Sequence, residues 1–79
     1  MQFIVIEIQT NDQGIVSTLM DTYSDRSLAE QKYHLILSAA AVSQLPSHAA
    51  VIMTNEGVIL AGKQECYHYF PAPVEPSEE

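Results

Sequence analysis

The chain has 79 residues, a formal net charge of −7 and a single cysteine, Cys66. A chain this short forms one domain and buries only roughly 60–65% of the surface that its unfolded form exposes, so its own core is small. One cysteine excludes an internal disulfide. The acidic balance repels phosphates and argues against ordinary nucleic-acid binding, and no apolar run approaches the ~20 residues of a membrane-spanning helix.

The first predicted element is a β-hairpin. Ile4, Ile6 and Ile8 share one strand face, which we expect to be fully buried, while the opposite face becomes polar toward the turn and is expected to be partly buried. The chain reverses at residues 11–14, where Asn and Gly both tolerate positive φ. Residues 15–23 are rich in Thr, Val, Ile and Tyr but alternate less clearly, which predicts a second strand at a sheet edge.

One helix follows the first hairpin. Ser27 and Glu30 match a capping box, and Pro46 excludes helical geometry at the residue before it, so we predict a helix from residue 28 to about 42. Apart from one narrow polar stripe, the second half of this helix is apolar on nearly all sides, which predicts burial on more than one side. The stripe consists of Ser27, Gln31, His34 and Ser38.

The segment after the helix repeats the pattern of the first hairpin: an apolar run, Thr-Asn, an acid, Gly and a second apolar run. We predict strands at residues 49–54 and from Val58 onward, with a bulge or kink at Gly62. The fold class is therefore α+β, in the order ββαββ, with two antiparallel hairpins flanking one helix in a single domain of residues 1–70. Residues 71–79 hold three prolines and three acids and are predicted to form a disordered tail.

The size of the sheet bears on oligomeric state. Four strands spaced by ~4.8 Å make a sheet roughly 19 Å wide, whereas one helix is ~10 Å across. One helix therefore covers about half of one face, and we predict a homodimer or higher oligomer that covers the remainder. The predicted oligomer interface is on the helix and comprises Leu35, Ile36, Ala39, Ala40 and Val42.

Cys66 and His68 lie on the same side of the last predicted strand, as a metal-binding pair or a nucleophile and its base would. A zinc site needs three or four protein ligands, which one cysteine and three scattered histidines do not readily supply. We therefore interpret Cys66 as structural and predict no catalytic residue, no metal and no cofactor. A hydrolase that uses Cys66 and His68 is the weaker alternative.

A second group of polar residues suggests a ligand site. Lys32 interrupts an otherwise apolar side of the helix, where its stem is expected to lie along the sheet. The alternative is a contact with an anion or carboxylate in a cleft between subunits. The possible ligand contacts are Lys32, His34, Lys63 and Tyr67.

The helix segment from residue 32 to 43, followed downstream by Glu65, Cys66 and Tyr67, resembles a group of short acidic proteins encoded by phages and prophages of gut bacteria. The resemblance covers about residues 1–70. It implies a phage context, with no assigned activity and no catalytic residues to carry over.

Together these features predict a small, non-enzymatic, phage-type interaction protein that acts through a homo-oligomeric surface and binds a protein of the host or the phage. The alternative is a protein that sequesters a metabolite or signal nucleotide between subunits. Neither nucleic acid nor a membrane is an expected partner. Because the N-terminal residues lack a basic segment and a cleavage site, we expect a cytoplasmic protein in the host cell. The resemblance to phage proteins implies association with the virion as the alternative location.

Overall fold

A computed structural model describes residues 1–69; residues 70–79, which include the predicted tail, lie outside the described part of the chain. The predicted α+β order ββαββ is confirmed. Within the described residues, no helix combines the length and the apolar character needed to cross a membrane. The elements are β1 (Phe3–Thr10), β2 (Val16–Tyr23), α1 (Arg26–Ala41), β3 (Ser47–Thr54) and β4 (Ile59–Tyr67).

The four strands form one antiparallel sheet in the order β2-β1-β3-β4. The two hairpins are joined at the centre, where β1 pairs with β3 along its full length, from Phe3 opposite Thr54 to Thr10 opposite Ser47. The second strand lies at an edge, as its weak alternation predicts, and β4 forms the other edge.

The two hairpin loops have the same hydrogen-bond pattern, built around Asn11 in one and Thr54 in the other. Asn11 Oδ1 accepts hydrogen bonds from the backbone N–H groups two and four residues onward, and Thr54 Oγ1 does the same. Only the glycines use the left-handed region, with φ of 80° at Gly14 and 85° at Gly57. The expectation that Asn supplies positive φ is therefore wrong: Asn11 contributes a side-chain acceptor that stabilises the loop.

The predicted capping box at the start of α1 is also wrong. Asp25 is the N-cap, and its carboxylate accepts a hydrogen bond from Ser27 N at 2.9 Å. Glu30 instead forms an ion pair with Arg26 one turn earlier, at 2.7 Å. Asp is as good an N-cap as Ser, and with Asp25 in extended geometry the helix begins two residues before the predicted start.

The core lies between one stripe of α1 and the two central strands. Ala29 and Ala50 are at most 1% exposed, and their small side chains let the helix approach the sheet closely around the Tyr33 ring. The polar stripe predicted on the helix is exposed, as expected. The central cluster of the core consists of Val5, Ala29, Tyr33, Ile36, Ala50 and Ile52, and Ala40 is a further buried core residue.

The helix covers the face of β1 that carries Val5 and Glu7, and not the all-isoleucine face. Val5 is 1% exposed, whereas Ile4, Ile6 and Ile8 all remain partly exposed. The expectation that the isoleucine face is the fully buried one is therefore wrong within a single chain. Within the single chain the helix likewise is buried on one side only, since Leu35 is 61% exposed and the C-cap residue Val42 is 82% exposed.

Ala40→Glu is expected to unfold the chain. Ala40 is 2% exposed in the chain's own core, and an unpaired buried carboxylate there costs about 3–5 kcal/mol of unfolding free energy. Ala39→Glu is the matched control, because Ala39 is exposed and surface changes usually stay within about 0.5 kcal/mol. Urea denaturation followed by circular dichroism measures both, and equal stability of the two variants would contradict the observed helix orientation.

Candidate interaction surface

The side of the sheet opposite α1 is apolar and uncovered; we refer to it as the open face. Strand pairing places its side chains in rows that cross all four strands, such as Met20, Ile6, Val51 and Gln64. Side chains at its edges are the most exposed, with Val16 at 58%, Met20 at 66% and Ile59 at 44%. The open face comprises Ile4, Ile6, Ile8, Thr10, Val16, Thr18, Met20, Thr22, Ser47, Ala49, Val51, Met53, Ile59, Gln64 and Cys66.

The charged residues of the sheet lie on the face that α1 covers, and not on the face that is open to solvent. An antiparallel sheet with one face on a core usually presents polar residues on its solvent face. Here the open face carries no charged residue, and all charged residues of the four strands lie on the helix face. These residues are Glu7, Asp21, Lys63 and Glu65.

The charges on the helix face are engaged in pairs beside the helix. Lys32 Nζ lies 3.6 Å from Asp21 Oδ2 on the β2 side, and Lys63 Nζ lies 4.0 Å from Glu30 Oε1 on the β4 side. Both pairs are partly exposed, so each contributes little to stability. They place two of the charged strand residues, Asp21 and Lys63, next to side chains of opposite charge on α1.

Glu7 and His48 form the most buried polar contact. His48 Nε2 lies 2.6 Å from Glu7 Oε2, and Gln9 Nε2 donates to the same oxygen at 2.9 Å. Burial by itself would raise the pKa of Glu7, but the hydrogen bonds from Gln9 and His48, together with the charges of His48 and Lys32, outweigh it, so that this pKa lies below its usual value of 4.5. The other ring nitrogen, His48 Nδ1, is buried with no hydrogen-bond partner among residues 1–69.

The lowered pKa of Glu7 predicts a loss of stability in acid. A carboxylate whose pKa is lower in the folded chain stabilises it fully above the unfolded pKa, here 4.5, and this contribution disappears as pH falls through the folded pKa. Glu7→Gln is expected to flatten that part of the stability profile. Urea midpoints measured between about pH 6 and about pH 3 would show this.

Glu56→Gln is the control for this experiment, because it removes an exposed carboxylate in a hairpin loop. It is expected to leave the wild-type acid profile nearly unchanged. A Glu7→Gln profile that follows the wild-type curve would show that the Glu7–His48 contact does not govern acid stability.

The open face has a groove on its β3–β4 side. Gly62, with φ of 74°, lies in a bulge where five residue steps along β4, from Ile59 to Gln64, span two steps of β3. The bulge predicted at Gly62 is thereby confirmed. The groove has a volume of about 390 Å³ and its open-face lining consists of Ile8, Ala49, Val51, Ile59, Gln64 and Cys66.

The five helix residues predicted to form the oligomer interface divide into two groups. Ile36 and Ala40 are buried within the single chain, at 5% and 2% exposure, and do not reach a partner subunit. Leu35, Ala39 and Val42 are exposed. The periodicity of the sequence shows which residues share a side of the helix, but it does not show which side the sheet covers. The two groups can therefore be told apart only in the folded chain.

The residues predicted to contact a ligand do not all converge. Lys32 lies toward β2, where it pairs with Asp21. On the β4 side, Lys63 Nζ lies 6.0 Å from the centre of the Tyr33 ring, which the His34 ring meets edge-on.

Tyr67 completes the group on the β4 side, where the carboxylate of Glu65 raises the pKa of its phenol. Lys32 is thus separated from His34, Lys63 and Tyr67 by the helix.

The thiol of Cys66 is exposed at the rim of the open face. Its Sγ lies 3.2 Å from Ser47 Oγ and 3.7 Å from His68 Nε2, so the Cys66–His68 proximity inferred from their spacing is present. Among residues 1–69, no group of three or more His, Cys, Asp or Glu side chains converges in a way that could hold a metal ion.

Comparisons with protein-family models, curated proteins and solved structures found no match to this chain. The geometry of the sheet is therefore the basis for any functional proposal. The residues that sequence reasoning missed are those of the open face on β2, β3 and β4. The alternation of Ile4, Ile6 and Ile8 indicates the same apolar face on β1, but we interpreted that face as buried in the chain's own core.

Proposed function

We propose that this protein is a small, non-enzymatic interaction protein that acts as a homo-oligomer and presents an oligomeric surface to a protein of the host or the phage. The phage context comes from the resemblance of residues 1–70 to short acidic phage proteins. The oligomeric part has its support in the fold itself.

The observation that carries the proposal is the open face: uncharged, largely apolar and uncovered across four strands. Large contiguous apolar patches are rare on soluble monomers and mark sites of association. If the open face were exposed to solvent in the functional protein, charged side chains would be favoured on it. The charged residues of the four strands all lie on the helix face instead. Self-association removes this surface from water without any additional chain segment.

The ligand-binding alternative has weaker support. Three of its four contacts, His34, Lys63 and Tyr67, surround Tyr33, but Lys63 is already paired with Glu30. Lys32 lies across the helix from them, paired with Asp21. Mass spectrometry of the small molecules that are released when the purified protein is denatured tests this alternative directly. A small molecule in stoichiometric amount would favour the ligand-binding protein over the interaction protein.

Met20→Lys is expected to weaken self-association by at least tenfold in Kd, because it places a charge on the open face, where association would bury it. Leu19→Lys is the matched control. Leu19 is the preceding residue on the same edge strand, is exposed to nearly the same extent, at 63% against 66%, and lies on the opposite face of the sheet. Sedimentation equilibrium over a range of micromolar concentrations gives the Kd of the wild type and both variants.

A wild-type protein that sediments as an 8.7 kDa monomer at these concentrations would contradict the proposed function. Equal weakening by Met20→Lys and Leu19→Lys would show that the lysine acts through general charge or through the strand edge, and not through the open face.

A further inference from the structure

We infer that two copies of this chain pack their open faces together about a two-fold axis parallel to the strands, so that β2 of each copy lies over the groove between β3 and β4 of the other. This inference rests on the proposed function and specifies the geometry of its oligomer. The product is a four-layer assembly, with the two sheets inside and the two helices outside.

The two sides of the open face differ in a way that supports this axis. Its β2 side carries Val16 and Met20, the most exposed of its large apolar side chains, and its β3–β4 side contains the groove of about 390 Å³. A two-fold axis along the strands reverses the strand order of the second copy, which brings the exposed side chains of each β2 over a groove. An axis across the strands would instead place the two β2 strands against each other and leave both grooves empty.

Area and charge are both compatible with a second copy as the occupant. Four strands of about eight residues present roughly 19 × 27 Å, or about 500 Å² in projection, and side-chain relief increases the accessible area. Stable interfaces bury about 600–1,000 Å² per partner. The chain carries a net charge of −7, so any face with carboxylates would repel a second copy, and the open face has none.

The two edge strands are less suited than the open face to contact between two copies of the chain. Pairing through β4 meets the bulge at Gly62 and the charges of Lys63 and Glu65, features that protect edges from pairing. Pairing through β2 is sterically open, but it would leave the apolar side chains of the open face in water in both copies.

The proposed axis predicts a specific contact between subunits. Thr18, Ile8, Ala49 and Cys66 form one row across the open face. Sheets in a sandwich pack ~10 Å apart with an angle of about 30° between strand directions. With the strand order reversed in the second copy, Thr18 at one end of the row lies over Cys66 of the partner subunit at the other end.

Thiol cross-linking tests this contact. Thr18→Cys, in the chain that retains Cys66, is treated with a short bismaleimide, which can bridge thiols of two sheets packed ~10 Å apart, and is analysed on a denaturing gel. Thr18 is exposed on an edge strand, so the substitution is expected to leave the fold intact. We expect a covalent dimer that requires both thiols and therefore disappears in the double variant Thr18→Cys/Cys66→Ser.

Ser17→Cys is the matched control, since Ser17 is the preceding residue, is also exposed and lies on the helix face. It is expected to cross-link no more than the wild type. Cross-linking of Thr18→Cys at the Ser17→Cys level would overturn the inference. A covalent dimer in Thr18→Cys/Cys66→Ser would also overturn it, because it indicates that β2 lies against β2 of the partner subunit. A covalent dimer of the wild type through Cys66 alone would overturn it as well, because it indicates a different axis.

The mass of the wild type separates this inference from the proposed function. A dimer by sedimentation that lacks the Thr18–Cys66 cross-link overturns the axis and leaves the proposed homo-oligomer in place. A monomer overturns both.

Discussion

A single helix can cover only one face of a sheet, and in this chain it covers the face that carries every charged strand residue. The choice follows from packing. Val5, Ala50 and Ile52 of the sheet form one buried cluster with Ala29, Tyr33 and Ile36 of the helix, in which the small alanine side chains let the helix approach the sheet closely. The charges around this small core are then accommodated in pairs with residues of the helix and of neighbouring strands.

The consequence for function is an inverted distribution of polarity. The polar side chains, which in most small proteins would form a ligand site or a solvated surface, are engaged with one another beside the helix. The face that is free to meet another molecule is uncharged and apolar, which suits a protein surface of the same character better than a small polar ligand. A two-fold assembly through this face would leave the outer side of both helices, with Leu35 and Val42 exposed, available to a further protein. The five helix residues first expected at the oligomer interface would then belong in part to the core and in part to that outer surface.

Much of the fold follows from local signals in the sequence. The period-two alternation of the first strand, the two Gly-containing loops, the proline after the helix and the glycine inside the last strand predict the element order, the edge position of β2 and the bulge at Gly62. Boundaries and caps were less accurate, because Asp25 and Ser27 are equally good N-caps and only the backbone angles of the folded chain distinguish them. The candidate site was predicted less well than the fold. Lys63, His34 and Tyr67 come together around Tyr33, but Lys32 lies across the helix, since its neighbours depend on which strand edge each side of the helix faces.

The sequence by itself determined the order ββαββ, the positions of the turns, the exposed polar stripe of the helix and an excess of apolar surface over what one helix can cover. These properties depend on neighbours in the chain, through periodicity, turn chemistry and composition. Only the tertiary structure decided which face of the sheet the helix covers, and with it which apolar residues form the core and which are left for a partner. Both faces of β1 begin as apolar patterns, and the difference between them arises from the side chains that β3 and the helix bring from more than twenty residues away in sequence.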